Sequence, residues 1–121
     1  MFTRISTISV PVKDPEISKF FYTNVLGCRG MEDVQATPGM RWLRLEFPGV
    51  ETCIVLVTWF PQMPPGSQQG VILIPDDIVK TCDELKRCGR EITPIKQQPY
   101  GQEATFRDPD GNSWVLQQLP L

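Results

Sequence analysis

Three pairs of residues in this chain share one spacing. Asp14 and Asp76, Gly27 and Gly89, and Gly39 and Gly101 are each separated by 62 positions. Asp caps the start of a helix through its carboxylate, and Gly ends one by entering the left-handed region, so these are punctuation marks rather than arbitrary residues. Recurrence of start, stop and loop signals at one offset predicts a tandem repeat, one supersecondary unit written twice. With 121 residues the two copies fit a single domain able to bury its own core.

Each copy reads the same way. In the first, Met1 to Val12 alternates, with Ile8, Val10 and Val12 on one face and Thr7 and Ser9 on the other. Asp14-Pro15-Glu16 opens a helix that Gly27 ends, and Ile17, Phe21 and Val25 form its expected buried stripe. A short strand is expected near Arg29 to Asp33, a second over Met40 to Phe47, and a third over Thr52 to Thr58. Trp59 to Gln69, rich in Pro, Gln and Gly, reads as a linker. Strand Gly70 to Ile74, a helix from Asp76 to Gly89, and strands at Glu91 to Ile95, Glu103 to Arg107 and Ser113 to Gln118 repeat the order. The predicted organisation is therefore α+β, a pair of βαβββ modules spanning residues 1–58 and 70–121 with 59–69 between them.

Composition excludes several partners. The net charge is −2 and the longest basic run is Lys86-Arg87, which argues against nucleic acid. No apolar run approaches a membrane span, and the N-terminal residues lack the apolar segment of a secretory signal, so a cytoplasmic location is expected. The four cysteines contain no C-x-x-C pair, and Cys82 and Cys88 fall about 240° apart on one helix, so reduced, packed thiols are expected. The chain has no histidine to activate a catalytic cysteine.

Phe106-Arg107-Asp108-Pro109-Asp110-Gly111-Asn112 has the residues of a type I turn. It resembles the signature turn of the vicinal oxygen chelate superfamily, the glyoxalase, bleomycin resistance protein and extradiol dioxygenase group. Phe21-Tyr22-Thr23-Asn24-Val25-Leu26-Gly27 resembles the group's first-helix signature. The resemblance runs from Arg4 to Leu119. It implies paired βαβββ modules forming a curved, half-open barrel around a cavity, and a homodimer with the cavity near or across the interface.

The resemblance also implies where metal ligands would stand: on the first and last strand of each module. Those positions hold Thr7 and Val55 in the first module, Gly70 and Val115 in the second. A divalent ion needs His, Glu or comparable donors. The expectation is a member without metal or other cofactor, and neither glyoxalase I nor extradiol dioxygenase chemistry.

By strand alternation the implied cavity is lined by Thr7, Ser9, Cys53, Val55, Val57, Val115 and Gln117, with Trp42, Arg44 and Glu46 from the first module and Tyr100 from a bordering loop. Such an apolar floor with few polar groups suits a mostly apolar or aromatic small molecule, as in drug or toxin sequestration. Trp114 is expected in the core, Trp59 and Phe60 at the dimer contact or the cavity rim. Asp108 and Asp110 are expected to serve their turn. A metal-free isomerase or lyase using Glu46 or Tyr100 as acid or base is the alternative; for Glu46 the plain reading is an ion pair at the sheet rim. A third is a regulatory subunit with a vestigial cavity.

Overall fold

A computed structural model describes residues 1–120. Two four-stranded sheets are present, each built from one module. The first contains β1 (Thr7–Pro11), β2 (Arg29–Thr37), β3 (Met40–Glu46) and β4 (Cys53–Val57) in the order β1-β4-β3-β2. The second contains β5 (Val71–Leu73), β6 (Lys96–Gln98), β7 (Gly101–Arg107) and β8 (Ser113–Gln118) in the order β5-β8-β7-β6. In both, the first strand pairs in parallel with the last, and the rest of the sheet is antiparallel. The parallel pairing needs a crossover, which helix α1 (Pro15–Phe20) supplies in one module and α2 (Ile78–Arg87) in the other. The duplicated α+β architecture read from the spacing is the one observed.

The first helix starts as its residues dictate. The Asp14 carboxylate accepts the Glu16 N–H at 3.0 Å, and Pro15 occupies the first turn. Beyond Phe20 the helix widens into a π-helical segment, Phe21–Val25, in which Leu26 N–H reaches back to the Phe21 carbonyl. This places the adjacent rings of Phe21 and Tyr22 both in the core, edge to face at 5.1 Å. Gly27 and Gly89 end their segments at φ near +77° and +78°.

Four expectations need correction. The first strand is shorter than Met1 to Val12, because residues 1–6 are exposed and bury no face. Ile17 is 57 % exposed and Ser18 is buried in its place. Ser18 Oγ donates to Asp110 at 3.2 Å, and this contact with the second module chooses the helix's inward face. The second helix is capped by Asp77, not Asp76: Asp77 accepts from Val79 N and Lys80 N, while Ile78 N–H is taken by Gln118 Oε1 at 2.7 Å. Glu91 to Ile95 forms only an isolated bridge, Ile92 opposite Phe106, and the strand follows at Lys96–Gln98. Conversely, β2 runs nine residues, through two irregularities in register.

One continuous core joins the modules. Leu43, Leu45, Ile54 and Leu56 of the first sheet and Ala104, Phe106, Trp114 and Leu116 of the second share it with Phe21, Tyr22, Ile78, Cys82 and Leu85 of the helices. Trp114 is 1 % exposed, with Tyr22 and Phe47 both edge-on at 6.0 Å. The polar groups of this junction are satisfied. Tyr22 donates to Asp108, Trp114 Nε1 donates to the Tyr22 hydroxyl, and Asn112 Nδ2 donates to both Asp108 and the Pro11 carbonyl. Asp108 and Asp110 do serve their turn, with Gly111 N–H on the Asp108 carbonyl at 3.0 Å. They also hold α1, a role the turn motif alone does not reveal.

No disulfide forms among the described residues: Cys28, Cys53 and Cys82 are buried thiols, and Cys88 is exposed. Burial pushes Cys28 up to about 12 and Cys82 upward, the opposite of an activated nucleophile. Among the described residues no helix is long and apolar enough to cross a membrane.

Candidate functional site

The parallel strand pairs make the two modules comparable residue by residue. Ser9 lies opposite Val55, and Ile72 lies opposite Val115. The same register sets Thr7 opposite Cys53, and Gly70 immediately before β5 stands in Thr7's place. With Val55 taken as the counterpart of Val115, as the resemblance implies, the register makes Gly70 the counterpart of Thr7. The superfamily's metal does not fit these positions, since two valines and a glycine offer no side-chain donor and a threonine hydroxyl is a weak one. Among the described residues no three His, Cys, Asp or Glu side chains converge on one point.

The residues nominated from the sequence fall into two groups. Thr7, Ser9, Val55 and Val57 lie on adjacent strands β1 and β4, and Arg44 on β3 lies opposite Val55. Val55 and Val57 are each 1 % exposed, so within one chain they are floor beneath their neighbours. Cys53, and after it Glu32, raise the pKa of the Arg44 guanidinium. Arg44 Nε is itself buried and has no acceptor from the protein.

The second group belongs to the other sheet. Val115 pairs with Thr105, and Gln117 with Glu103. Tyr100 donates to Glu103 Oε2 at 3.0 Å and is 49 % exposed. That carboxylate raises the Tyr100 pKa, so the phenol is harder to deprotonate than usual.

Glu46 does not sit with Arg44. It pairs across the strand with Arg29, Nη2 to Oε1 2.6 Å, which is the rim ion pair. Arg44 pairs instead with Glu32 at 3.0 Å. Glu32 also accepts the Trp42 indole N–H at 3.3 Å. One carboxylate thereby fixes both the ring and the cation, and the hydrogen bond from Arg44, then that from Trp42, lowers its pKa. Sequence reasoning missed Glu32. Simple alternation sets Glu32 on the face opposite Arg29, and only the register shift between Gly30 and Glu32 shows which partner each takes.

Trp59 and Phe60 lie side by side, ring centres 5.8 Å apart, with Phe60 44 % exposed. Ile72 and Ile74 of the second module are half or more exposed, as is Val34 on β2.

Comparison with known proteins follows the same lines. The family model for the Glyoxalase/Bleomycin resistance protein/Dioxygenase superfamily matches residues 4–116. The crystal structure of TnmS3, an antibiotic-binding protein from Streptomyces sp. CB03234, superposes with a TM-score of 0.93 at 39 % identity, covering 98 % of each chain. A glyoxalase/bleomycin resistance protein from the same strain superposes with a TM-score of 0.86 at 40 % identity, over 95 % of this chain and 100 % of that one. The uncharacterised protein YetH of Bacillus subtilis (strain 168) is 30 % identical over 98 % of this chain and 100 % of its own length.

Proposed function

We propose a binding role, rather than a catalytic one, for this chain, which belongs to the Glyoxalase/Bleomycin resistance protein/Dioxygenase superfamily. The ligand is a mostly apolar or aromatic small molecule, held without metal and sequestered rather than transformed. The observation that supports this reading is that Val55 and Val115, which offer no metal donor, stand where the resemblance puts metal ligands. Apolar surface gains roughly 25 cal/mol per Å² buried, whereas a metal gains nothing there. The similarity to an antibiotic-binding protein at 39 % identity supports the same direction.

Within this reading Trp42 offers a flat face, and Glu32 fixes its orientation. Arg44, held in place by Glu32, orients a polar substituent. The two lining groups belong to different sheets, and a homodimer that sets the first module of one chain against the second of another completes the cavity. Exposed Ile72, Ile74, Val34 and Phe60 supply apolar surface for that contact.

Enzymatic acid–base work gains no support from the site. Glu46 is occupied by Arg29, and Tyr100 is made a weaker acid by Glu103.

The test is a thermal-shift screen of aromatic compounds on wild type and Val115→Glu, with elemental analysis of the purified protein. Ligands that bind the native state raise Tm by mass action. Hits are expected on wild type and weakened in the variant, whose new carboxylate is desolvated without a partner. Equal hits on both would move the cavity elsewhere, and about one transition metal per chain would end the metal-free reading.

A further inference from the structure

A cleft lies on the second module, lined by none of the residues nominated from the sequence. It holds about 480 Å³ between the end of α2 and the edge of β7. Gly89 to Thr93 form one wall and Thr105 to Arg107 the other. The walls are tied together by Thr93 N–H to the Thr105 carbonyl at 2.9 Å and Thr105 N–H to Thr93 Oγ1 at 2.8 Å.

The charge in this cleft is unbalanced. Arg90 and Arg107 both line it, and neither has a carboxylate within ion-pair distance among the described residues. Arg90 packs its guanidinium over the Phe21 ring at 4.9 Å and donates to the Arg107 carbonyl at 3.2 Å. Its Nε is buried and has no acceptor from the protein. Arg107 donates only to the Gly111 carbonyl, at 3.2 Å. The helix end does not absorb these cations, because the Glu84, Leu85 and Lys86 carbonyls already accept the N–H groups of Cys88, Arg90 and Gly89. The protein leaves both charges without a counter-ion, and an oxyanion is what a guanidinium fork fits.

We propose that this cleft is a binding site for a small organic monoanion, a carboxylate with a short apolar body. Arg90, Arg107 and Glu91 all line the cleft, a balance of one positive charge in excess that favours a monoanion over a dianion such as phosphate. Half-buried Ile92 supplies the apolar wall against which a ring or short chain packs. The cleft is lined by residues other than those of the proposed ligand face, which it adjoins where Thr105 pairs with Val115.

The test uses the ¹⁵N-labelled full chain titrated with benzoate, with benzyl alcohol as the neutral analogue of the same shape and with inorganic phosphate. Benzoate is expected to shift the amides of Arg90, Ile92, Thr93 and Thr105 saturably in the millimolar range. Benzyl alcohol is expected to leave them unmoved, and phosphate to bind more weakly than benzoate. R107Q, at an exposed position that bears no core contact, is expected to weaken benzoate about tenfold, the loss of one charge-assisted hydrogen bond. No saturable shift in this range, equal shifts by the alcohol, phosphate binding as tightly as benzoate, or unchanged affinity in R107Q would each overturn the proposal. So would benzoate shifts confined to Trp42, Val55 and Val115, which belong to the other face.

Discussion

Tyr22 donates its hydroxyl hydrogen to Asp108 at 2.7 Å across 86 positions of sequence, and the same oxygen accepts the Trp114 indole N–H at 3.0 Å. The bond joins the helix of one module to the turn of the other inside the core. Tyr22→Phe removes the acceptor of Trp114 and one donor to Asp108, and is expected to cost about 1–3 kcal/mol in urea unfolding. Asp108→Ala should cost more, because its carboxylate also accepts from Asp110 N, Asn112 N and Asn112 Nδ2. By contrast Arg41→Ala breaks exposed pairs with Asp33 and Glu16, and should cost less than about 1 kcal/mol.

Gly101 begins β7 at φ +128°, and a methyl on it would run into the backbone carbonyl of Gln118. Neither atom is on a flexible side chain, so β7 and β8 must separate to admit it. Gly101→Ala is expected to lower Tm far more than Gly39→Ala, whose methyl meets open space at φ +80°.

Alkaline pH should unfold the protein through Cys28. Burial raises its thiol from 9.0 to about 12 in the folded chain. Above pH 9 the unfolded chain loses this proton and the folded chain keeps it, so the stabilisation is whole below pH 9 and disappears as pH climbs toward 12. The slope is about 1.4 kcal/mol per pH unit for one such group. Cys28→Ala should flatten the stability profile over that window; an unchanged slope would assign the alkaline loss to other groups.

Glu32→Ala releases both Trp42 and Arg44 while touching no core residue. Stability should change by less than about 1 kcal/mol. Affinity for an aromatic hit from the screen should fall about fivefold, because ring and cation must then be ordered on binding. Isothermal titration of wild type and variant separates the two effects.

Sedimentation at micromolar concentration is expected to give a dimer. Phe60→Asp places a charge on the exposed ring position beside Trp59, and should shift the equilibrium toward monomer without lowering helix content. A monomeric wild type would end the shared-cavity arrangement.

Local chemistry was legible in the sequence. Asp14, Pro15, Gly27 and Gly89 act on backbone within a few residues, and each does what its type dictates. What the sequence misplaced depends on distant groups. Asp76 and Asp77 can both cap a helix, and the choice follows from Gln118 Oε1, which takes the Ile78 N–H from the last strand. Ile17 looked buried by periodicity, but Ser18 and Tyr22 reach the Asp108–Asn112 turn and rotate the helix accordingly. At the candidate site the residue types were readable and the pairings were not. Arg44 and Glu46 are two apart on one strand and point the same way, yet each takes its partner from β2, where irregular register decides that Arg29 meets Glu46 and Glu32 meets Arg44.

The parallel pairing of first and last strand has a consequence for synthesis. Thr7 cannot find Cys53, nor Val71 find Trp114, until the whole intervening module has been made. Tyr22 waits longer still, because Asp108 belongs to the second module. A nascent chain halted before that turn carries a finished first sheet beside a helix whose aromatic face lacks its cover. Such a chain is a natural client for a chaperone, and ribosome-stalled intermediates ending before Asp108 should be more protease-sensitive at α1 than at β4.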